Sequence, residues 1–183
     1  NKRGDIMYSD NVILTDADGV LLNWEYAFDC WMEQKGYHSE TKDHYDVQQR
    51  YGLDEKEKNQ QVRHFNESAA IGFLPPHRDA IHYVRLLHEK HGYVFKVITS
   101  LSLDKHAGRL RRKNLFKLFG TAIDEVICLD TGADKDEALA PYKNSGLPWV
   151  EDKLENASLG AELGLHSLLM EHKHNMFHDD ENV

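Results

Sequence analysis

The chain has 183 residues and a formal net charge of −9 at pH 7, room for one sizeable core with a small insertion but not for a second full domain. That charge argues against a sequence-independent grip on nucleic acid, which needs clustered Lys and Arg to displace counterions, and points to a small partner instead. Two cysteines without a CxxC pair, and no apolar run long enough for a signal peptide or a membrane span, lead to the expectation of a soluble, reduced, cytoplasmic protein with no membrane partner.

In chain order, NVILT (11–15) reads as a buried strand closed by Asp16, Asp18 and Gly19, and YAFDCWMEQKG (26–36) has the period of a helix. The segment from Trp24 to Pro75 then breaks the alternation. It is polar, helix-compatible and without a convincing strand, and GFLPPHRDA (72–80) restarts the rhythm with two prolines. It is read as a helical cap, 24–75, inserted into a core formed by 1–23 and 76–183. GYVFKVITS (92–100) is a second strand, AGRLRRKNLFKLFG (107–120) a helix ended by glycine, and DEVICLD (124–130), PWVED (148–152) and HSLLME (166–171) are three more short apolar runs. Strands alternating with amphipathic helices predict an α/β architecture, a doubly wound parallel sheet covered on both faces. The acidic tail FHDDENV (177–183) is expected to fray.

Asp16 and Asp18 point the same way at the strand end, because strand side chains repeat with period two, and Gly19 permits a sharp turn beside them. Alone, a DxD merely marks the polar end of a strand, and a calcium loop needs its glycine at the sixth position rather than the fourth. Its companions change the reading. Thr99 and Ser100 close the second main strand, Lys135 stands at the start of a helix, and Glu151 and Asp152 follow another strand, with Asn156 four residues on. Singly these are a turn serine, a solvated lysine and an acid pair at a helix N-terminus. Together, and in this order, they fall at strand ends, where α/β sheets bind ligands.

In this order DADGV, the strand ending in Ser100, Lys135 and VED resemble the four motifs of the haloacid dehalogenase-like phosphotransferases, from Val12 to Met170. The resemblance implies a Rossmann-like sheet with a small helical cap after the first strand, a small phosphorylated substrate and Mg²⁺ as cofactor. It makes Asp16 the nucleophile that forms an aspartyl-phosphate, with its other oxygen on the metal. Asp18 becomes the acid that protonates the leaving oxygen and then activates water, its backbone carbonyl also on the metal. Ser100 and Lys135 hold the phosphoryl group, with Ala17 and Leu101 as further substrate-binding positions. Asp152 is the direct third metal ligand and Glu151 acts through water, although the ED pair leaves open which acid ligates. Asn156 either orients Asp152 or faces solvent.

DADGVLLNWEYAF (16–28) is also similar to the opening of 5′-deoxyribonucleotidases, which implies a nucleoside 5′-monophosphate. The rings of Trp24, Tyr26, Phe28, Trp31, Tyr45, Tyr51, Phe65 and Phe73 either stack a base, with Phe65 and Phe73 the first candidates, or pack the cap. Two other readings stand: a phosphatase of nucleic-acid ends, which needs the basic run Arg109–Lys117 to face the site, and a non-catalytic binding domain. The basic run is read as a solvated helix face, HEKHG (88–92) as an exposed helix face and not a zinc site, and His172 and His174 as loop residues, solvated or on the site's rim. Nothing in the sequence sets the oligomeric state.

Overall fold

The computed structural model describes residues 10–39, 46–176 and 178–183; Tyr45, the start of the polar stretch before it, and Phe177 lie outside them. Five strands, β1 Val12–Thr15, β2 Val94–Ser100, β3 Ile123–Leu129, β4 Pro148–Glu151 and β5 His166–Leu169, form one parallel sheet in the order β3-β2-β1-β4-β5. The helices are α1 Trp24–Gln34, α2 Val47–Tyr51, α3 Glu55–Asn66, α4 Ala80–Arg85, α5 Lys105–Phe119, α6 Asp136–Leu139 and α7 Leu154–Glu162. The architecture is the expected Rossmann-like α/β fold. Among the described residues, no helix is long and apolar enough to cross a membrane.

Both faces of the central strand are covered, which is why all four residues of β1 are buried. Alternation sends Ile13 into one cluster with Phe95, Val97 and Leu115, and Leu14 into another with Ile98, Leu139 and Trp149. The chain winds outward from β1 through β2 to β3, then crosses to β4 on the other side of β1, so the topology switches between β1 and β4. Ligands of such sheets bind in the crevice at that switch. The register there pairs Leu14 with Trp149 and Thr15 with Val150, and the Asp16 N–H donates to the Val150 carbonyl at 2.8 Å. Asp16 is thereby laid beside Glu151.

Between β1 and β2 lie α1 to α4. The two ends of the insertion are tied together: the Asn23 N–H donates to Pro75 O at 2.8 Å and the His77 N–H to Leu21 O at 2.9 Å. Local signals set the helices. Asn23 caps α1, and Asp54 and Glu57 form a reciprocal capping box at α3. Phe28, Met32 and Phe65 from these helices belong to the same buried cluster as Phe95 and Val97 of the sheet.

The rings of the insertion pack on one another. Phe28 stacks on Trp24 at 4.7 Å, and Phe65 meets Trp24, Phe28 and Trp31 with centroids 5.4–5.5 Å apart. Phe65 has no exposed surface, and Phe73 is 74% exposed but away from the cleft described below. The expectation that these two stack a base is therefore corrected. Apolar burial claims Phe65 for the core, and among the described rings of the insertion it is Trp24 that reaches the cleft.

Candidate active site

A cleft of about 220 Å³ opens at the carboxyl ends of β1 and β4, lined by Asp16, Asp18, Ser100, Lys135, Glu151 and Asp152, with Asn156 on its edge. Asp16 leaves β1 and Glu151 ends β4. Lys135 sits at the N-cap of α6, where its side chain is buried and its ammonium lies 2.9 Å from Asp16 Oδ1 and 2.8 Å from Glu151 Oε2. Burial alone would lower the Lys135 pKa, but Asp16 and Glu151 outweigh it and push it up to about 12.

The neighbouring acids are also raised, which for a carboxyl group disfavours the charged form. Burial, reinforced by the Asp16 charge, pushes Glu151 up to about 7 against the help of Lys135, because one ammonium is shared between two carboxylates. Asp152, buried beside both Asp16 and Glu151, is pushed up to about 10. Asp16, Glu151 and Asp152 offer oxygens that all lie within 4.8 Å of one another. Hard anionic oxygens crowded this closely repel unless a cation joins them, so the donor set suits a divalent ion such as Mg²⁺. Glu151 is already committed: Oε2 accepts from Lys135, and Oε1 accepts from the N–H groups of Asp152 and Lys153 at 3.0 and 3.1 Å.

Asp18 is held from behind by Arg111. The guanidinium, fully buried on α5, meets Asp18 Oδ1 at 2.8 Å and Oδ2 at 3.1 Å and donates to Thr99 Oγ1 at 3.0 Å. Burial raises the Asp18 pKa; Arg111 opposes it and Asp16 adds to it. The expected solvated basic face holds for Arg109, Lys113 and Lys117, which are exposed, and is corrected for Arg111. Ala107, Gly108, Arg111, Asn114, Leu115 and Phe119 are the buried positions of α5, and this three-to-four spacing was the available signal that Arg111 points inward.

The remaining predicted positions separate. Ser100 lines the cleft and its hydroxyl donates to Ala133 O at 3.2 Å. Ala17 is buried, and its N–H donates to Asp16 Oδ1 at 2.8 Å. Leu101 is buried away from the cleft lining, its N–H donating to Leu129 O at 2.9 Å and its carbonyl accepting from Asn66 and Thr131. His88 is likewise engaged rather than simply solvated, with Tyr93 O at 2.7 Å and Thr121 Oγ1 at 3.0 Å.

Three histidines complete the rim. His172 Nε2 lies 2.6 Å from Gly19 O and His174 Nε2 lies 3.0 Å from Asp152 O, while buried Asn175 donates to the carbonyls of Asp152 and Met170. His77, on the return from the insertion, has its ring centroid 5.5 Å from that of His172. Burial lowers the pKa of His77 and of His174. Glu25, at the start of α1, faces the same cleft, its pKa raised by burial and by Asp29 against Arg50 and His172. His77 and Glu25 carry no sequence motif and were not anticipated.

No protein-family model matches the chain. It is 26% identical over 160 residues to an uncharacterised 32.4 kDa protein of the Gp30-rIII intergenic region of Enterobacteria phage T4; the match takes in 82% of this chain and 57% of the length of that relative. Among solved structures it is similar to a protein of Burkholderia xenovorans LB400 assigned as a haloacid dehalogenase-like hydrolase, with a TM-score of 0.49, 14% identity, and coverage of 88% of this chain and 84% of the other.

Proposed function

We propose that this chain is a Mg²⁺-dependent phosphomonoester hydrolase of the haloacid dehalogenase type, working through an aspartyl-phosphate on Asp16. The observation that carries the reading is Lys135, whose ammonium bridges Asp16 and Glu151 in a cleft that also receives Asp152 and the Arg111-held Asp18. Phosphoryl transfer needs a positioned nucleophile, positive charge around the phosphoryl oxygens and a proton donor on the leaving side. These residues supply each part.

Asp16 attacks phosphorus with one carboxylate oxygen while Lys135 offsets the repulsion between that carboxylate and the phosphoryl group. Asp18 gives its proton to the leaving oxygen and, as carboxylate, takes one from the water that hydrolyses the acyl phosphate. The Ser100 hydroxyl, turning from Ala133 O, would donate to a phosphoryl oxygen. Asp16, Asp152 and the Asp18 carbonyl would hold Mg²⁺, with Glu151, engaged by Lys135 and two N–H groups, acting behind them. Bound there, the ion supplies positive charge to the phosphoryl oxygens and orients them. The insertion 24–75 serves as the cap over this cleft, and a nucleoside 5′-monophosphate is the first substrate to try, with Trp24 in place of Phe65 and Phe73 as the ring beside it.

The test is release of inorganic phosphate from phenyl phosphate and from nucleoside and sugar monophosphates with Mg²⁺ present. Asp16→Asn is expected to abolish turnover while keeping the fold, since an amide is nearly isosteric but a poor nucleophile. Substantial turnover by folded Asp16→Asn, or none by the wild type on any ester, rejects the reading.

A further inference from the structure

We infer that Glu25, His77 and His172 form the leaving-group subsite of this cleft, and that it takes an uncharged, hydroxyl-bearing leaving group and rejects one that carries a second phosphate. The inference rests on the phosphatase reading for its location. Asp18 marks the side on which the leaving oxygen sits, the next residue is Gly19, and the carbonyl of Gly19 is held by His172 at 2.6 Å. His77 adjoins His172, and Glu25 enters the same cleft from α1.

A carbonyl can only accept, so His172 Nε2 gives its proton to Gly19 and does not offer it to a ligand. The Glu25 carboxylate faces the cleft as an acceptor. Acceptors on a site wall call for donors on the ligand, and hydroxyl groups provide them without added charge.

Charge argues the same way. Of the residues lining the cleft, Asp16, Asp18, Glu25, Glu151 and Asp152 are acidic, against the cations Lys135 and Lys153. Lys135 is consumed between Asp16 and Glu151, and Arg111, which approaches from behind, is consumed by Asp18. The bound metal would offset the acids of the phosphoryl end, and with Arg50, which also acts on Glu25, paired to Asp29 at 3.4 Å, exposed Lys153 is the lysine left facing Glu25 and a second anion.

The experiment compares adenosine 5′-monophosphate with adenosine 3′,5′-bisphosphate, which differ by one phosphate. Affinities are measured by calorimetry on Asp16→Asn with Mg²⁺, where no turnover is needed, alongside kcat/KM for the wild type. The expected result is at least about tenfold tighter binding of the monophosphate, with Glu25→Gln and His172→Ala each shrinking that ratio several-fold. Equal affinity for the pair, binding of neither, or an unchanged ratio in both variants overturns the subsite. Phosphate release from phenyl phosphate by the wild type tests the phosphatase reading separately.

Discussion

Arg111 grips Asp18 with both terminal nitrogens, at 2.8 and 3.1 Å, from a position on α5 with no exposed surface. An ion pair to one carboxylate oxygen and a hydrogen bond to the other hold the carboxylate in place, and Thr99 at the end of β2 fixes the guanidinium in turn. Arg111→Ala is expected to lose about 10²- to 10⁴-fold on alkyl phosphates, the usual size of a general acid's contribution, and much less on nitrophenyl phosphate, whose leaving group needs little protonation. Arg111→Lys should recover part of the alkyl activity. Losses of the same size on both classes of ester would mean that Arg111 supports the fold and not the acid. Circular dichroism and Tm on each variant separate the two, since removing one partner of a buried pair costs about 3–5 kcal/mol.

The raised pKa values of Glu151 and Asp152 set the direction of a pH effect. Their ordinary values are 4.5 and 3.8, and in the folded chain they rise to about 7 and about 10. Between the two values the folded state keeps protons that the unfolded chain has released, so without metal stability falls as pH rises through this window. A divalent cation binds the ionised carboxylates and competes with protons, so its stabilisation grows with pH. The Tm gain on adding Mg²⁺ should therefore be larger at pH 8 than at pH 5. An equal gain at both, or none at either, would remove Asp152 from the metal site.

Much of this was legible in the sequence because it is written locally. Short apolar runs between amphipathic helices foretold the parallel sheet, and Asp16, Ser100 and Asp152 stood at strand ends, and Lys135 at a helix start, that converge once the strands lie side by side. What was not legible depends on partners distant in the chain. Arg111 lies 93 residues from Asp18 and His172 lies 153 from Gly19, and neither contact leaves a motif. A basic run reads as solvent-facing unless its helical phase is set against its apolar neighbours, which here places Arg111 with Ala107 and Leu115. The rings between β1 and β2 were ambiguous for a related reason: composition counts rings but does not say which of them bury one another.

That ambiguity has a measurable resolution. Phe65 touches Trp24, Phe28 and Trp31 and is fully buried, so Phe65→Ala is expected to cost about 3–5 kcal/mol of stability by removing a large core ring and leaving a cavity. Phe73, largely exposed, should give a change within about 0.5 kcal/mol when replaced by Ala. Chemical denaturation of the two variants decides it. Comparable small effects would place Phe65 outside the core and return it to the candidates for stacking.

Gly19 is where backbone geometry and the acidic cluster of Asp16, Glu151 and Asp152 meet. Its φ of +81° lies in the left-handed region that residues with a side chain rarely adopt, and a Cβ built there would overlap the Asp152 carboxylate. Its N–H donates to Leu22 O at 3.0 Å and its carbonyl receives His172, so the turn cannot relax without releasing the flanking loops. Gly19→Ala is therefore expected to turn Asp152 out of place and weaken Mg²⁺ binding by about tenfold or more, in the range seen when groups that orient metal ligands are lost. Asp152→Asn should weaken Mg²⁺ by neutralising a ligand oxygen. Because both act on one carboxylate, the double variant should lose much less than the sum of the two single losses. Calorimetric Mg²⁺ titration of the four proteins reads this directly. Full additivity, or a Gly19→Ala protein that binds Mg²⁺ as the wild type does, would show that the close approach of Gly19 to Asp152 has no part in holding the metal.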